Sequence, residues 1–357
     1  MKGGLARCSV PSNGKPTKKP RAPQEVGLRG NAAPFGGPAP PASPLLPPIP
    51  RPAQFPGVIP FRPVLLAFAF ACLAVHGDDR PSYVRTEVIY GRKHGTALTL
   101  DVIKPSKPNG YGVLYMASGG FFSSHEALDG ALKNGLLAPV LNRGYTVFGV
   151  VHGSQPRFVI PEITDDIHRA VRFVRAHSAE HGVKPDHFGI FGASAGGHLS
   201  LTMGTQGGPG KADAQDPIDR GSSAVQAVAC FFPPTDFLDW RSTGDDAVGV
   251  GILASFKPAF GARSDTAESR AVFGKEISPI NFIRPDMPPT LIIHGDADKL
   301  VPIHQAEIFL KRCEDVGVKA PVKLVRKPGA DHGWAGIEKD VVIFADWFDE
   351  HLRGLKK

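Results

Sequence analysis

Four cysteines in 357 residues are too few to staple a fold, and none pairs with another at a metal-finger spacing, so a disulfide scaffold and a structural zinc site are excluded. Long apolar runs are equally scarce. A membrane helix needs about 20 consecutive apolar residues, whereas the run at 64–75 (VLLAFAFACLAV) has twelve, which excludes a stable span. The third shortage is charge of one sign in the body of the chain. The formal net charge is +7, but residues 1–62 hold nine Lys and Arg against the single acid Glu25, leaving 32 bases and 33 acids in residues 63–357. The body therefore offers no electrostatic footprint for a nucleic-acid backbone.

What the chain has in excess is proline, and it is concentrated. Fifteen of the 35 prolines fall within residues 1–62. Proline removes helix and ladder donors, and few large apolar residues accompany it there, so residues 1–61 are expected to be a disordered Pro-rich extension. Residues 62–77 combine Arg62, the twelve-residue apolar run and short residues before Asp78-Asp79, the pattern of a secretory signal with cleavage after Gly77. Such a signal belongs at a chain start, which points to a true start near Val58 or Val64 and to a secreted or periplasmic protein. Cys72 follows Phe70 and Ala71, a poor lipidation site; Cys230 and Cys313 sit among apolar residues and read as small buried hydrophobes.

From residue 78 onward the pattern is that of one α/β domain. Tyr83 to Tyr90 and Ala97 to Ile103, separated by the turn-like Gly91–Gly95, form an expected antiparallel hairpin. Apolar strands at 112–116, 145–151, 188–191, 225–232, 290–294 and 322–325 then alternate with amphipathic stretches. This predicts a mostly parallel central sheet of about eight strands with helices on both faces. Ile163, Ile167, Val171 and Val174 form one stripe of a helix over 161–181, and Val341, Phe344, Ala345, Phe348 and Leu352 form another over 338–352. Residues 238–283 break the rhythm and are read as an excursion over the sheet edge rather than a second domain.

The chemistry lies in three loops. Gly192-Ala193-Ser194-Ala195-Gly196-Gly197 stands between a strand and a helical run, where a serine on a sharp turn needs small neighbours two residues to either side. Gly295-Asp296-Ala297-Asp298 follows a later strand, and Asp331-His332-Gly333-Trp334 follows the last. Loops that follow parallel strands emerge at one sheet edge, so Ser194, Asp298 and His332 can converge despite separations of 104 and 34 residues.

With these motifs, residues 83–357 resemble an α/β-hydrolase of the esterase/lipase group, similar to bifunctional acetyl/feruloyl carbohydrate esterases and more distantly to prolyl oligopeptidases. The resemblance implies an α/β-hydrolase fold, Ser194 as nucleophile, His332 as base and Asp298 as acid. It implies a small-molecule or polysaccharide ester as substrate and no metal or organic cofactor; it does not set the oligomeric state. The amide of Ala195, directly after the nucleophile, is expected as one oxyanion donor. The loop Ala117-Ser118-Gly119-Gly120-Phe121-Phe122 has serine where related esterases carry histidine before the glycines, and Gly120 and Phe121 are assigned as the other donors. A peptidase is the nearest rival reading, and a non-catalytic binding protein on the same scaffold is the rival from another class.

Other residues have plainer roles. Asp236, after an earlier strand, is the alternative acid. Asp296 is expected to brace its own turn and Asp331 to shape its loop. His198 is expected to satisfy a partner beneath the serine turn, His152 to shape its loop and His294 to pack at its strand end, while His125 stands either at the site mouth or on the surface. Phe231 is assigned to the core, and Phe122 and Trp334 to the walls of an acyl or sugar pocket.

Overall fold

The hairpin opens the described part of the chain: β1 (Tyr83–Lys93) pairs antiparallel with β2 (Thr96–Pro105). The computed structural model describes residues 81–356, so the Pro-rich extension, the apolar run read as a signal and Cys72 lie outside the described residues. The reversal is tighter than expected. It is made by His94 and Gly95 alone, both at positive φ (46° and 73°), as a two-residue hairpin requires. The strand instead runs through Gly91 at a bulge after Ile89. A Cβ on Gly91 would come within 2.7 Å of Arg169 Nε, so the bare backbone there lets that guanidinium lie against the strand.

Six further strands follow: β3 (Gly112–Met116), β4 (Thr146–Val151), β5 (Phe188–Ala193), β6 (Ala227–Phe231), β7 (Thr290–Gly295) and β8 (Val322–Lys327). All eight form one sheet in the order β1-β2-β4-β3-β5-β6-β7-β8, antiparallel through the β2–β4 pairing and parallel from β4 onward. Strands β3, β6 and β7 are buried at every residue, as a parallel sheet covered on both faces demands.

The covering helices are α1 (His125–Lys133), α2 (Ala138–Asn142), α3 (Ile160–Ala176), α4 (Ser178–His181), α5 (Ala195–Gln206), α6 (Lys257–Phe260), α7 (Ala267–Ile277), α8 (His304–Val316) and α9 (Ile337–Arg353). One core packs α3, α5 and α8 against the sheet, and the other packs α1, α2 and α9. The predicted stripes are buried in both α3 and α9. Glu162 caps the start of α3 by accepting the Val159 amide at 3.0 Å. The helix predicted over 161–181 is interrupted at His177, which leaves helical geometry at φ −102°, ψ 14° while its ring Nδ1 donates to Phe173 O at 2.9 Å.

Cys230 and Cys313 are buried and free, and burial pushes both thiols upward, Cys313 to about 12. Among the described residues no helix is long and apolar enough to cross a membrane. Residues 238–283 are a chain of short 3₁₀ turns with α6 and α7, and they contribute Trp240, Leu253, Phe260, Phe273 and Ile277 to the first core.

Candidate active site

Strand β5 ends in the serine turn, and the glycines around it have no room for side chains. A Cβ on Gly192 would lie 2.5 Å from Gly196 O, and one on Gly196 would lie 2.6 Å from Met116 O. Gly197 is equally close to Phe231 O, at 2.8 Å. Ser194 itself adopts φ 55°, ψ −120°, a conformation that a non-glycine residue holds only when its surroundings impose it. Here the Ser194 amide donates to Phe231 O at 3.0 Å, and the Gly196 amide donates to Ser118 O at 3.2 Å.

The loops after β7 and β8 bring the other two groups to this serine. His332 Nε2 lies 2.9 Å from Ser194 Oγ, and His332 Nδ1 lies 2.8 Å from Asp298 Oδ2. The tautomer that satisfies both contacts has Nδ1–H donating to the carboxylate and Nε2 accepting the serine hydroxyl. Asp298 is buried, and its Oδ1 accepts the amides of Leu300 and Val301, each at 2.9 Å. Burial by itself would raise this carboxyl, but hydrogen bonds from His294 and His332, the His332 charge and the Val301 amide outweigh it and hold the pKa at about 2. It stays ionised. The Phe232 ring lies 4.4 Å from the imidazole of His332 and limits its rotation.

The loop after β3 closes the site from the opposite side. Gly119 and Phe122 exchange backbone hydrogen bonds of 3.0 and 2.9 Å around Gly120 and Phe121, which have φ of 55° and 63°. Two successive positive φ values make this a tight left-handed turn, costly for phenylalanine. Gln155 holds it: its Nε2 donates to Gly120 O at 2.7 Å and its amide donates to Phe121 O at 3.2 Å. With both carbonyls drawn toward Gln155, the amides of Gly120 and Phe121 donate to no acceptor among the described residues, and neither does that of Ala195 at the start of α5. Ser118 gives its carbonyl to Gly196 while its buried hydroxyl finds no partner among the described residues.

Asp296 does not brace its own turn as expected: it accepts the Gly329 amide at 2.6 Å and so ties the loop after β7 to the loop after β8. The other plain assignments are largely as expected. Asp331 accepts the amides of Lys299 and His332. Asp236 accepts the Leu238 amide, and burial raises its carboxyl; it has no contact with His332 among the described bonds, so the acid of this cluster is Asp298. His198 donates to Pro234 O beneath the serine turn, His152 to Gly153 O, and His294 to Val301 O. Burial drives His152 and His198 down to about 4, leaving both neutral. Phe231 is a core residue.

Trp334 is half-buried and is not among the residues that line the cleft beside Ser194: its Nε1 donates to Asp340 on α9 at 2.7 Å and its ring packs edge-on against Phe231 and Phe232. Phe122 is 57% exposed, at the rim rather than in a wall. Of the two placements expected for His125 the structure has the surface one: partly exposed, it bonds Thr99 at 2.8 Å and faces Asp101 on the β1–β2 hairpin. With Glu87 these form the one group of three metal-ligand side chains among the described residues, and Arg85 already neutralises Asp101.

The walls that sequence reasoning missed come from the excursion. The cleft beside Ser194 is bounded by the turn at Gly120 and Phe121 and by Phe237, Trp240, Leu253, Phe256 and Phe260. Trp240 Nε1 donates to Leu300 O at 3.1 Å, and the buried Gln305 bridges the loop after β6 by accepting the amides of Thr235 and Asp236 and donating to Asp239 O and Trp240 O. The excursion is thereby pinned to the loop that carries Asp298. The available signal was the density of aromatic residues in a stretch without strand or helix period.

Comparison with known proteins gives this site a lineage. The BD-FAE family model matches residues 100–312, more than half of the chain. The chain belongs to the BD-FAE family. It is similar to the probable carboxylic ester hydrolase LipM of Mycobacterium tuberculosis, 28% identical over 255 residues, covering 70% of this chain and 56% of LipM. Esterase LipC of the same organism is 27% identical over 254 residues, covering 70% of this chain and 60% of LipC. The chain thus spans between about half and three fifths of the length of these curated relatives. Among solved structures, a truncated carbohydrate esterase from gut microbiota matches with TM-score 0.63 and 26% identity, covering 77% of this chain and 98% of that one. An acetyl ester-xyloside bifunctional hydrolase from Caldicellulosiruptor lactoaceticus shares the fold with TM-score 0.59 at 21% identity, covering 77% of this chain and 95% of its own. The fold is that of the α/β-hydrolases, an eight-stranded, mostly parallel sheet with helices on both faces.

Proposed function

We propose that this domain cleaves carboxylic esters through an acyl-enzyme formed on Ser194. The observation that carries the reading is the continuous series Ser194 Oγ, His332 and Asp298, with contacts of 2.9 and 2.8 Å, at a cleft also lined by Gly120, Phe121 and Ala195, whose amides donate to no acceptor among the described residues. His332 Nε2 takes the hydroxyl proton as Oγ attacks the ester carbonyl. The oxyanion accepts hydrogen bonds from the Ala195 amide and from Gly120 and Phe121, donors already aimed before the charge develops. His332 then gives its proton to the departing alcohol, and a water molecule repeats the sequence to release the acid. Asp298, its carboxyl held at about 2 and so ionised, stabilises the imidazolium between the two proton transfers.

The polysaccharide side of the reading rests on the gut-microbiota carbohydrate esterase likeness, and export rests on the apolar run at 64–75. The test uses a fluorophosphonate probe and p-nitrophenyl acetate. The parent protein is expected to be labelled and to turn over the ester, and Ser194→Ala to lose both while keeping its melting temperature. Turnover that survives Ser194→Ala would refute the assignment.

A further inference from the structure

The cleft beside Ser194 is very small. It offers about 30 Å³ to the centre of a water-sized sphere, where a single water needs about 10–15 Å³. That is room for two or three such groups. Its side-chain lining is apolar apart from Ser194 and Trp240, and the indole N–H of Trp240 is already spent on Leu300 O. A sugar placed there would lose the partners of several hydroxyls, so the cleft suits the acyl group, and the alcohol is left for the open rim at the exposed Phe122.

Phe256 decides how far the cleft extends. It ends the 3₁₀ turn Gly251–Phe256, and its ring edge lies against Gly120: a Cβ added to that glycine would meet Phe256 Cε1 at 2.5 Å and Cδ1 at 2.8 Å. The ring therefore covers the same turn that presents the unengaged amides. An acyl chain seated with its carbonyl oxygen at those amides runs toward the ring. Leu253 and Phe260, which line the same cleft, are buried in the first core and cannot give way without repacking it.

On the ester-hydrolase reading, we propose that Phe256 sets the acyl length of this site, restricting its substrates to esters of two- and three-carbon acids and excluding aromatic acyl groups such as feruloyl. Each methylene that a closed apolar pocket refuses costs about 10–200-fold in kcat/KM.

The test is a chain-length profile of kcat/KM on p-nitrophenyl acetate, propionate, butyrate and hexanoate, with methyl ferulate as the aromatic substrate. The parent should lose at least tenfold between propionate and hexanoate and leave methyl ferulate nearly untouched. Phe256→Ala should raise the hexanoate-to-acetate ratio at least tenfold, Phe256→Leu should raise it by less, and Phe256→Trp should lower the propionate-to-acetate ratio. Ratios that move by under threefold in all three folded variants, or a parent that takes hexanoate or methyl ferulate as readily as acetate, would overturn the proposal while leaving ester hydrolysis intact. Absence of any ester turnover, with Ser194 unlabelled by fluorophosphonate, would instead sink the hydrolase reading and this inference with it.

Discussion

Replacing Asp298 by asparagine tests the site through a single proton. The amides of Leu300 and Val301 both donate to Asp298 Oδ1 at 2.9 Å. An asparagine must turn its carbonyl oxygen toward those two donors, because an NH₂ group facing them would leave both unsatisfied in a buried position. Its NH₂ then replaces Oδ2, 2.8 Å from His332 Nδ1. A donor there forces Nδ1 to accept, which moves the imidazole proton to Nε2, the atom 2.9 Å from Ser194 Oγ. The histidine can no longer take the serine proton. A wrong tautomer at this position costs about 10³–10⁴ in kcat, or about 4 to 5.5 kcal/mol. Geometry and volume barely change, so KM for p-nitrophenyl acetate should stay within a few-fold and the protein should stay folded, its melting temperature lower only by what the ionised carboxylate contributes. A folded Asp298→Asn protein with kcat within tenfold of the parent would refute the reasoning. Asp236→Asn is the matched control, expected to leave kcat within threefold because that carboxylate caps its own turn.

Three further outcomes follow from the same geometry. Gln155→Ala removes the side-chain bond to Gly120 O while its backbone amide still holds Phe121 O, so kcat should drop by up to about 10²-fold with KM largely held, and Gln155→Glu should fail to restore it because its carboxylate cannot donate to Gly120 O; steady-state kinetics check both. Gly196→Ala places a Cβ 2.6 Å from Met116 O, an overpacking expected to cost about 1–3 kcal/mol in urea unfolding and to displace the oxyanion turn through Ser118. Asp298 is held at about 2, below the usual carboxylate range, so its contribution to stability is complete above pH ~4 and disappears as pH falls through 2. The urea midpoint of the parent should therefore fall more steeply between pH 4 and pH 2 than that of Asp298→Asn; equal slopes would show that this carboxylate gains nothing on folding.

Much of this was legible in the sequence for definite reasons. Strands buried on both faces show as short apolar runs without alternation, and loops after parallel strands share an edge, so Ser194, Asp298 and His332 could be brought together without any knowledge of side-chain direction. Direction is what the sequence withheld. Trp334 stands two residues from His332, yet Asp340, six residues further on, takes its indole N–H and turns it into the second core. The break of the long helix at His177 was hidden because a histidine that bonds the preceding turn leaves the apolar stripe intact. The cleft walls were hidden for a deeper reason: residues 238–283 have no period, because they pack as isolated aromatic anchors rather than as a face, and their partners lie in loops after β6 and β7 that only the folded sheet brings near.

The distribution of backbone strain bears on how the site keeps its geometry. Among the described residues, the non-glycine positions at positive φ are His94, Phe121, Ser194 and Phe232. His94 belongs to the hairpin turn, and the other three surround one point: Phe121 in the turn of unengaged amides, Ser194 at the hydroxyl, and Phe232 with its ring 4.4 Å from the imidazole. Each such residue costs about 1–3 kcal/mol unless its neighbours over-determine it. The neighbours do so through backbone: Gln155 on Phe121 O, Phe231 O on the Ser194 amide, and Ile293 O on the Phe232 amide. The last two acceptors belong to β6 and β7, fully buried strands whose positions are set by the whole sheet. Ser194, Phe121 and the phenylalanine beside His332 are therefore held in costly conformations, two of them by fully buried strands, an arrangement that leaves little reorganisation for the proposed reaction.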